Sequence, residues 1–334
     1  MAMTWIFHDV NEAYSEIQIA KEHFTRWEET RNGRALVFQM PVLVTHTQPY
    51  RRVLFDAVRD ANPFFHYMEA IWMLAGYNSV RFPAYFASNI RNYSDDGVVL
   101  HGAYGQRWRN TWGMDQIEMV CHILKHQPES RRAVINMWNP PMDLEVDSKD
   151  IPCNTQIMFR VKDTLLDMTV INRSNDLVWG MLGANFVHFS CLHEYICGVT
   201  SIPMGDFHQF SNNLHVYEGW EDKFEYVQSD WYVKNPSFPR WAFNPTNFDW
   251  VEAGEFVEDM GTGEYQCRIL RDNARPMMDA WEEYKKDDLD KAIHICGRIH
   301  DYDWKVACRA WLERRAARRQ ENGGQRLSDR RQPL

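Results

Sequence analysis

No two cysteines of this chain stand in CxxC spacing. The seven, Cys121, Cys153, Cys191, Cys197, Cys267, Cys296 and Cys308, are odd in number and scattered through 334 residues, a chain too large to need disulfide staples. The pattern excludes a disulfide framework and a cysteine zinc cluster, and predicts a reducing, cytoplasmic setting with no metal. Long apolar runs are missing too. No stretch approaches the ~18 residues of a membrane span, and the opening MAMTWIFHDVNEAY brings acidic groups too early for a signal peptide. There is no surplus of basic charge, the formal net charge being -9, which argues against general nucleic-acid binding by phosphate neutralisation. Core material, by contrast, is plentiful: 45% of residues are hydrophobic and 14% aromatic against 25% charged. That composition predicts a globular chain with one large domain and an appendage.

Hydrophobic spacing predicts an amphipathic helix over residues 11–30, a turn over 31–33 and a strand over 35–46. A largely buried helix is expected from Pro63 to Gly76, carrying one carboxylate, Glu69, and a further helix over 114–126. RRAVINMWNP reads as a strand ending at a proline pair. TQIMFRVKDTLLDMTVINRS reads as two strands joined at Lys162 and Asp163, and NFVHFSCLHEYICGV as a buried helix. Strands and long helices in this irregular order predict an α/β chain of the mixed, α+β kind rather than a βαβ repeat. Beyond about residue 270 the texture turns helical, charged and tryptophan-containing, which divides the chain into residues 1–270 and a helical C-terminal extension over 271–334. The Arg-rich stretch of that extension from Arg314 onward is expected to fray.

A Pro-Cys pair such as Pro152-Cys153 is a weak signal by itself, because an isolated cysteine is more often a small buried hydrophobe. Its company changes the reading. In chain order stand YMEAIWMLAG, GAYGQRWR, SRRAVINMWNP, IPCNTQIMF, NRSNDLVWG and GDFHQFSN. Over roughly residues 31–215 these six collinear segments resemble the thymidylate synthase family. The resemblance implies a large mixed β-sheet flanked by helices, 5,10-methylenetetrahydrofolate as cofactor, and a pyrimidine nucleoside monophosphate as substrate. It makes Cys153 the nucleophile that adds to the 6-carbon of the pyrimidine and so activates the 5-carbon, a task that wants a thiol of lowered pKa beside guanidinium groups. It assigns the substrate phosphate to Arg31, Arg173 and Ser174 of one subunit and to Arg131 and Arg132 of the other in a homodimer with shared sites. Arginine suits that work because its planar fork meets phosphate oxygens two at a time. Glu69 is implied as organiser of water and relay of protons, Tyr104 as part of the catalytic water network, and His208 as ligand of the sugar 3′-hydroxyl. Asp176, Gly180 and Trp72 are implied on the folate side.

Several departures from the family pattern bear on the reaction. The family's base-reading asparagine stands four residues after the glycine of the RSxD segment, where this chain has Ala184; Asn185 follows at five. Either a one-residue bulge keeps Asn185 in the role or base reading has changed, and an amide can present either of its ends to uracil or to cytosine. Asn154 replaces the usual histidine after the nucleophile, and Phe210 replaces the tyrosine that shares the sugar contact with His208. The apolar C-terminal peptide that covers the folate is missing. So is a counterpart, within ASNIRNYSDDG, of the tryptophan beside it. Trp281, Trp304 or Trp311 of the extension is a candidate replacement lid. Transfer of hydride to the methylene intermediate gives a methyl group and needs a dry site, whereas water gives a hydroxymethyl group. The departures favour hydroxymethylation, with dCMP preferred; methylation of dUMP or dCMP and hydroxymethylation of dUMP or CMP are the alternatives. A cysteine hydrolase or an RNA-binding module would leave the arginines, or Cys153 with Glu69, without a task.

Overall fold

Alternation along three strands decides which way the main sheet faces. The computed structural model describes residues 2–220 and 242–321. In it β6 (Asn154–Lys162), β7 (Leu165–Asn172) and β9 (Met204–Ser211) bury Ile157, Phe159, Leu166, Met168, Val170 and Phe207 on one face. The opposite face of β7 and β9 carries Asp167, Thr169, Asp206 and His208, all half-exposed. With β1 (Met3–Phe7), β4 (Val42–His46) and β5 (Val134–Asn136) they form a six-stranded sheet in the order β1-β4-β9-β7-β6-β5. It is mixed: β1 and β4, and β7 and β9, run parallel, and the other neighbours antiparallel. A second sheet joins β2 (Thr25–Thr30), β3 (Gly33–Phe38), β10 (Leu214–Tyr217) and β8 (Asn175–Asp176) in that order.

The buried face takes two helices that are apolar nearly all round, as helices inside a core must be. The first, α2 (Pro63–Leu74), follows α1 (Val10–Phe24) and starts with Pro63 at its first position, where a missing N–H costs nothing. The Asn62 side chain accepts from the amides of Phe64 and Phe65, and Gly76 follows its end at φ 82°. Eleven of its twelve residues are buried; the exception is Glu69. After α3 (Pro83–Phe86), α4 (Tyr104–Arg109), α5 (Gln116–His126) and α6 (Pro140–Asp143) comes the second, α7 (Ala184–Thr200), whose Phe186 and Phe189 pack on Phe207 of the sheet. Helix α4 meets α2 at Gly105, where any side chain would collide with the Met73 carbonyl. The late helices α8 (Trp250–Glu258), α9 (Arg275–Lys285), α10 (Leu289–Cys296) and α11 (Tyr302–Glu321) share the same apolar cluster as the sheets.

The helix expected over residues 11–30 stops at Phe24, and Thr25–Thr30 is strand β2, closed onto β3 by the Arg31-Asn32 turn. The run 35–46 divides between the two sheets. Pro41 has no N–H to give a ladder, and its carbonyl accepts from the Met3 amide where β1 begins. Pro140 and Pro141 open α6 rather than merely closing a strand. The β6–β7 hairpin turns at Asp163 and Thr164, both at positive φ as a two-residue turn requires. Arg314–Glu321 do not fray: they complete α11, with Arg314, Arg315 and Arg318 bonded to Asp60. Residues 322–334 lie outside the described residues. The three tryptophans considered for a lid are buried in the core. Trp281 and Trp311 pack on Phe64, and Trp304 on Tyr67, all on α2.

Candidate active site

Cys153 lies half-exposed just before β6, and its loop is held from both sides. Arg173, where β7 ends, donates through Nε to the Pro152 carbonyl at 3.0 Å and through Nη2 to that of Ile151 at 2.9 Å, while its own amide donates to the Cys153 carbonyl. The Asn154 amide donates to the Tyr104 hydroxyl at 3.4 Å. Burial pushes the Cys153 thiol up; Arg173 and Arg31 pull it down, and Asp150 and Asp176 push it up further. The lowered thiol expected from the sequence is therefore not reached in one protomer, because desolvation and two carboxylates outweigh two guanidinium groups. Asp150 is itself raised by burial and accepts from the Gly102 amide at 2.8 Å.

Glu69 faces His188 of α7 at 3.5 Å. Its Oε2 and both imidazole nitrogens of His188 are buried with no hydrogen-bond partner, a state that costs a protein ~1–3 kcal/mol per group and suits groups waiting for a ligand or water. His188 lies edge-on to Tyr104, with centroids 5.6 Å apart, so Glu69, His188, Tyr104 and the Cys153 loop form one contact chain. The sequence reading missed His188. The available signal is its spacing: three residues after Asn185, it shares a helix face with that residue.

The segment leading to Asn185 departs from regular α-helix. Residues Leu177–Met181 form a π-helical turn, with the Leu182 amide donating to the Leu177 carbonyl five residues back. Such a turn holds one residue more than an α-turn, which is compatible with the bulge that would keep Asn185 in the base-reading role. Gly183 then enters α7 where any side chain would press into the carbonyls of Trp179 and Val178. Gly180 is equally constrained: a Cβ there would strike Asn175 Oδ1 and stand 3.0 Å from Asn185 Nδ2. Replacing Gly183 with alanine is expected to cost about 3 kcal/mol, the upper range for overpacking against backbone. Urea unfolding beside the parent chain measures it, and an unchanged midpoint would show that the turn can shift.

The other expected residues are distributed as follows. Asp176 caps the π-turn, its Oδ1 accepting from the amides of Val178 and Trp179. Burial raises its pKa and lowers that of His215 on the neighbouring β10. Arg31 donates to the carbonyls of Ser148 and Lys149 at 3.3 Å, beside a cleft of about 400 Å³ lined also by Asn92, Tyr93 and Asp147. Ser174 is half-buried between Arg173 and Asn175. Asn154 is fully buried, with its amide donated to the Ile171 carbonyl at a β6–β7 register shift. His208 accepts or donates at Nδ1 with Thr45 Oγ1 at 2.8 Å, and Phe210 is half-buried two residues on. Three strand positions separate His208 from Ser211, which pairs with Asn172, so it stands roughly 10 Å along the sheet from the Cys153 end. Trp72 is buried, its indole nitrogen unpartnered. Arg131 and Arg132 are exposed just before the edge strand β5; Arg132 donates only as far as Gln127, at 3.3 Å. Two tryptophans outside ASNIRNYSDDG, Trp179 three residues after Asp176 and Trp220, enclose the Arg59 guanidinium at 4.7 and 5.1 Å.

Known proteins are similar to this chain in sequence and fold. A family model described as thymidylate synthase matches residues 57–269. A deoxyuridylate hydroxymethyltransferase of Pseudomonas phage M6 is 38% identical over 312 residues, covering 86% of this chain and 88% of the relative. One of Bacillus phage SP01 is 37% identical over 197 residues, 55% of this chain and 51% of the relative. The crystal structure of thymidylate synthase from T4 phage superposes with a TM-score of 0.56 at 20% identity, over 74% of this chain and 90% of that one. The chain therefore belongs to the thymidylate synthase family and is a one-carbon transferase with that family's mixed-sheet fold.

Proposed function

We propose that the chain hydroxymethylates the 5-carbon of dUMP, using 5,10-methylenetetrahydrofolate. The observation that carries the reading is the likeness, over 86% of the chain, to a protein named for that reaction. It moves the preference from dCMP, favoured by the sequence alone, to dUMP. The residues present fit the folate: Asn175 Oδ1 is buried and unpartnered, and it converges with Asn185 Nδ2 over Gly180, where only a glycine leaves room. Methylenetetrahydrofolate, when bound, supplies the one-carbon unit. The Cys153 thiolate bonds to the 6-carbon of uracil, and the electron pair displaced to the 5-carbon takes up that unit. Arg173, Ser174 and Arg31, with Arg131 and Arg132 of the partner subunit, hold the phosphate. Asn185 reads the base, and His208 holds the sugar. Once the 5-carbon has lost its proton and the carbon–nitrogen bond to the departing tetrahydrofolate has broken, Glu69 and His188 hold a water and take its proton as the oxygen bonds to the exocyclic carbon, and the electron pair returned to the ring expels the cysteine as thiolate.

The burial of Trp281, Trp304 and Trp311 supports water over hydride, since none of the three is available to close and dry the site. Incubation with methylenetetrahydrofolate and dUMP is expected to add CH2O to the nucleotide with no absorbance from dihydrofolate. A gain of CH2 with stoichiometric dihydrofolate would establish methylation instead, and turnover of dCMP in preference to dUMP would restore cytosine.

A further inference from the structure

The C-terminal helix reaches the proposed ligand site through one aspartate. Asp60 sits at φ 50°, a left-handed conformation that is unfavourable for a residue other than glycine. It accepts from Arg314 Nε at 2.9 Å, Arg315 Nη1 at 2.6 Å and Arg318 Nη1 at 2.9 Å, all on α11. The helix face bearing them is itself fixed, with Arg315 lying over the Trp311 ring at 3.6 Å and Arg319 paired with Asp287. On the other side of the same peptide is Arg59. It is buried between Trp179 and Trp220 and donates through Nε and Nη2 to the Val178 carbonyl, at 3.4 and 3.3 Å. Val178 and Trp179 are also the residues whose amides Asp176 caps, and whose carbonyls crowd Gly183 ahead of Asn185. A continuous set of bonds thus runs from α11 through Asp60 and Arg59 to the π-turn.

We infer that Asp60 and the Arg314, Arg315 and Arg318 clasp are positioning residues that hold the π-turn carrying Asp176, so that the C-terminal extension sets the geometry of the folate side of the site. The part concerning folate rests on the ligand assignment proposed above. The clasp holds the 56–60 turn in its left-handed shape, Arg59 transmits that placement to the Val178 carbonyl, and the two indole rings keep the guanidinium from swinging away. A carboxylate shared by three guanidinium groups in a mostly buried setting is a stronger tether than an exposed pair.

Asp60→Asn keeps a residue that tolerates the left-handed backbone and removes the charge. In the full-length, unliganded protein the amides of Val178 and Trp179 are expected to exchange with deuterium about tenfold faster, at unchanged protection of residues 186–196 in α7. Unchanged exchange at Val178 and Trp179 would overturn the inference, as would equal acceleration across α7, which marks general loosening. Arg315→Ala should act in the same direction and Arg315→Lys should restore part of the protection; identical behaviour of the two would remove the charge from the explanation. In turnover, KM for methylenetetrahydrofolate should rise about tenfold in Asp60→Asn while KM for dUMP stays within about twofold. Faster exchange with both KM values unchanged leaves the tether standing and refutes the placement of folate at this turn.

Discussion

Cys153→Ser is expected to bind dUMP nearly as well as the parent chain and to turn it over at least on the order of 10³-fold more slowly. A serine hydroxyl is far harder to ionise than a thiol, and the residues proposed to hold the phosphate do not include the reacting sulfur. Calorimetric titration and single-turnover analysis separate the two quantities. Substantial residual turnover would reject the nucleophile, and loss of binding would show that the sulfur shapes the pocket. The parent chain adds a pH signature. Burial, Asp150 and Asp176 raise the thiol, with Arg173 and Arg31 opposing them. Raising the pH therefore increases the thiolate fraction, and alkylation of Cys153 by iodoacetamide should still be climbing where an ordinary cysteine, of pKa about 8.5, has levelled off. A plateau near neutral pH would mean that groups outside the single protomer lower the thiol.

Mixing inactive Cys153→Ser with inactive Arg132→Ala should restore activity to about a quarter of the parent level where subunits exchange freely. The physical ground is the location of Arg132, exposed ahead of the edge strand β5 and bonded to Gln127, whereas the cationic groups acting on Cys153 are Arg173 and Arg31 of its own chain. If the arginine pair serves the site of a second subunit, a mixed dimer has one site with both defects and one with neither. Half of freely exchanged dimers are mixed, and each has one sound site of two. Mass-labelled subunits establish that exchange has taken place; exchange without recovery would assign Arg132 to its own chain's site and leave the dimer without a shared phosphate clamp.

Much of the site was legible because its parts are short and rigidly spaced. The helix with Glu69 announced itself by ten apolar residues, a proline at its start among them, and a glycine beyond the end. The hairpin after Cys153 alternates so strictly that its turn reads at Lys162-Asp163, one residue before the Asp163-Thr164 pair that makes it. What could not be read depends on contacts remote in sequence. Nothing in TRWEET distinguishes the end of a helix from a strand until β3 is there to pair with it. The ERRAAR segment carries charge that resembles a frayed tail until Asp60, some 254 residues earlier, is placed beneath it. His188 was not singled out because the carboxylate opposite it belongs to another helix, and the cysteine's proton affinity turned on desolvation, which no motif records.

The π-turn has a consequence for how such a site tolerates change in length. Each residue of an α-helix advances it by roughly 100°. One residue added ahead of α7 would thus rotate everything after it by more than a quarter of a revolution, carrying Asn185 and His188 away from Gly180 and Glu69. A π-turn such as Leu177–Met181, closed by the Leu182 to Leu177 bond, can take up such a residue in a single widened loop and leave the helix beyond in its angular phase. Two glycines, Gly180 and Gly183, bracket the widening at points where a side chain has no room. Such a loop accommodates length without a change of azimuth, and removing one residue between Asp176 and Asn185 should be borne only if the loop returns to α-helical pitch.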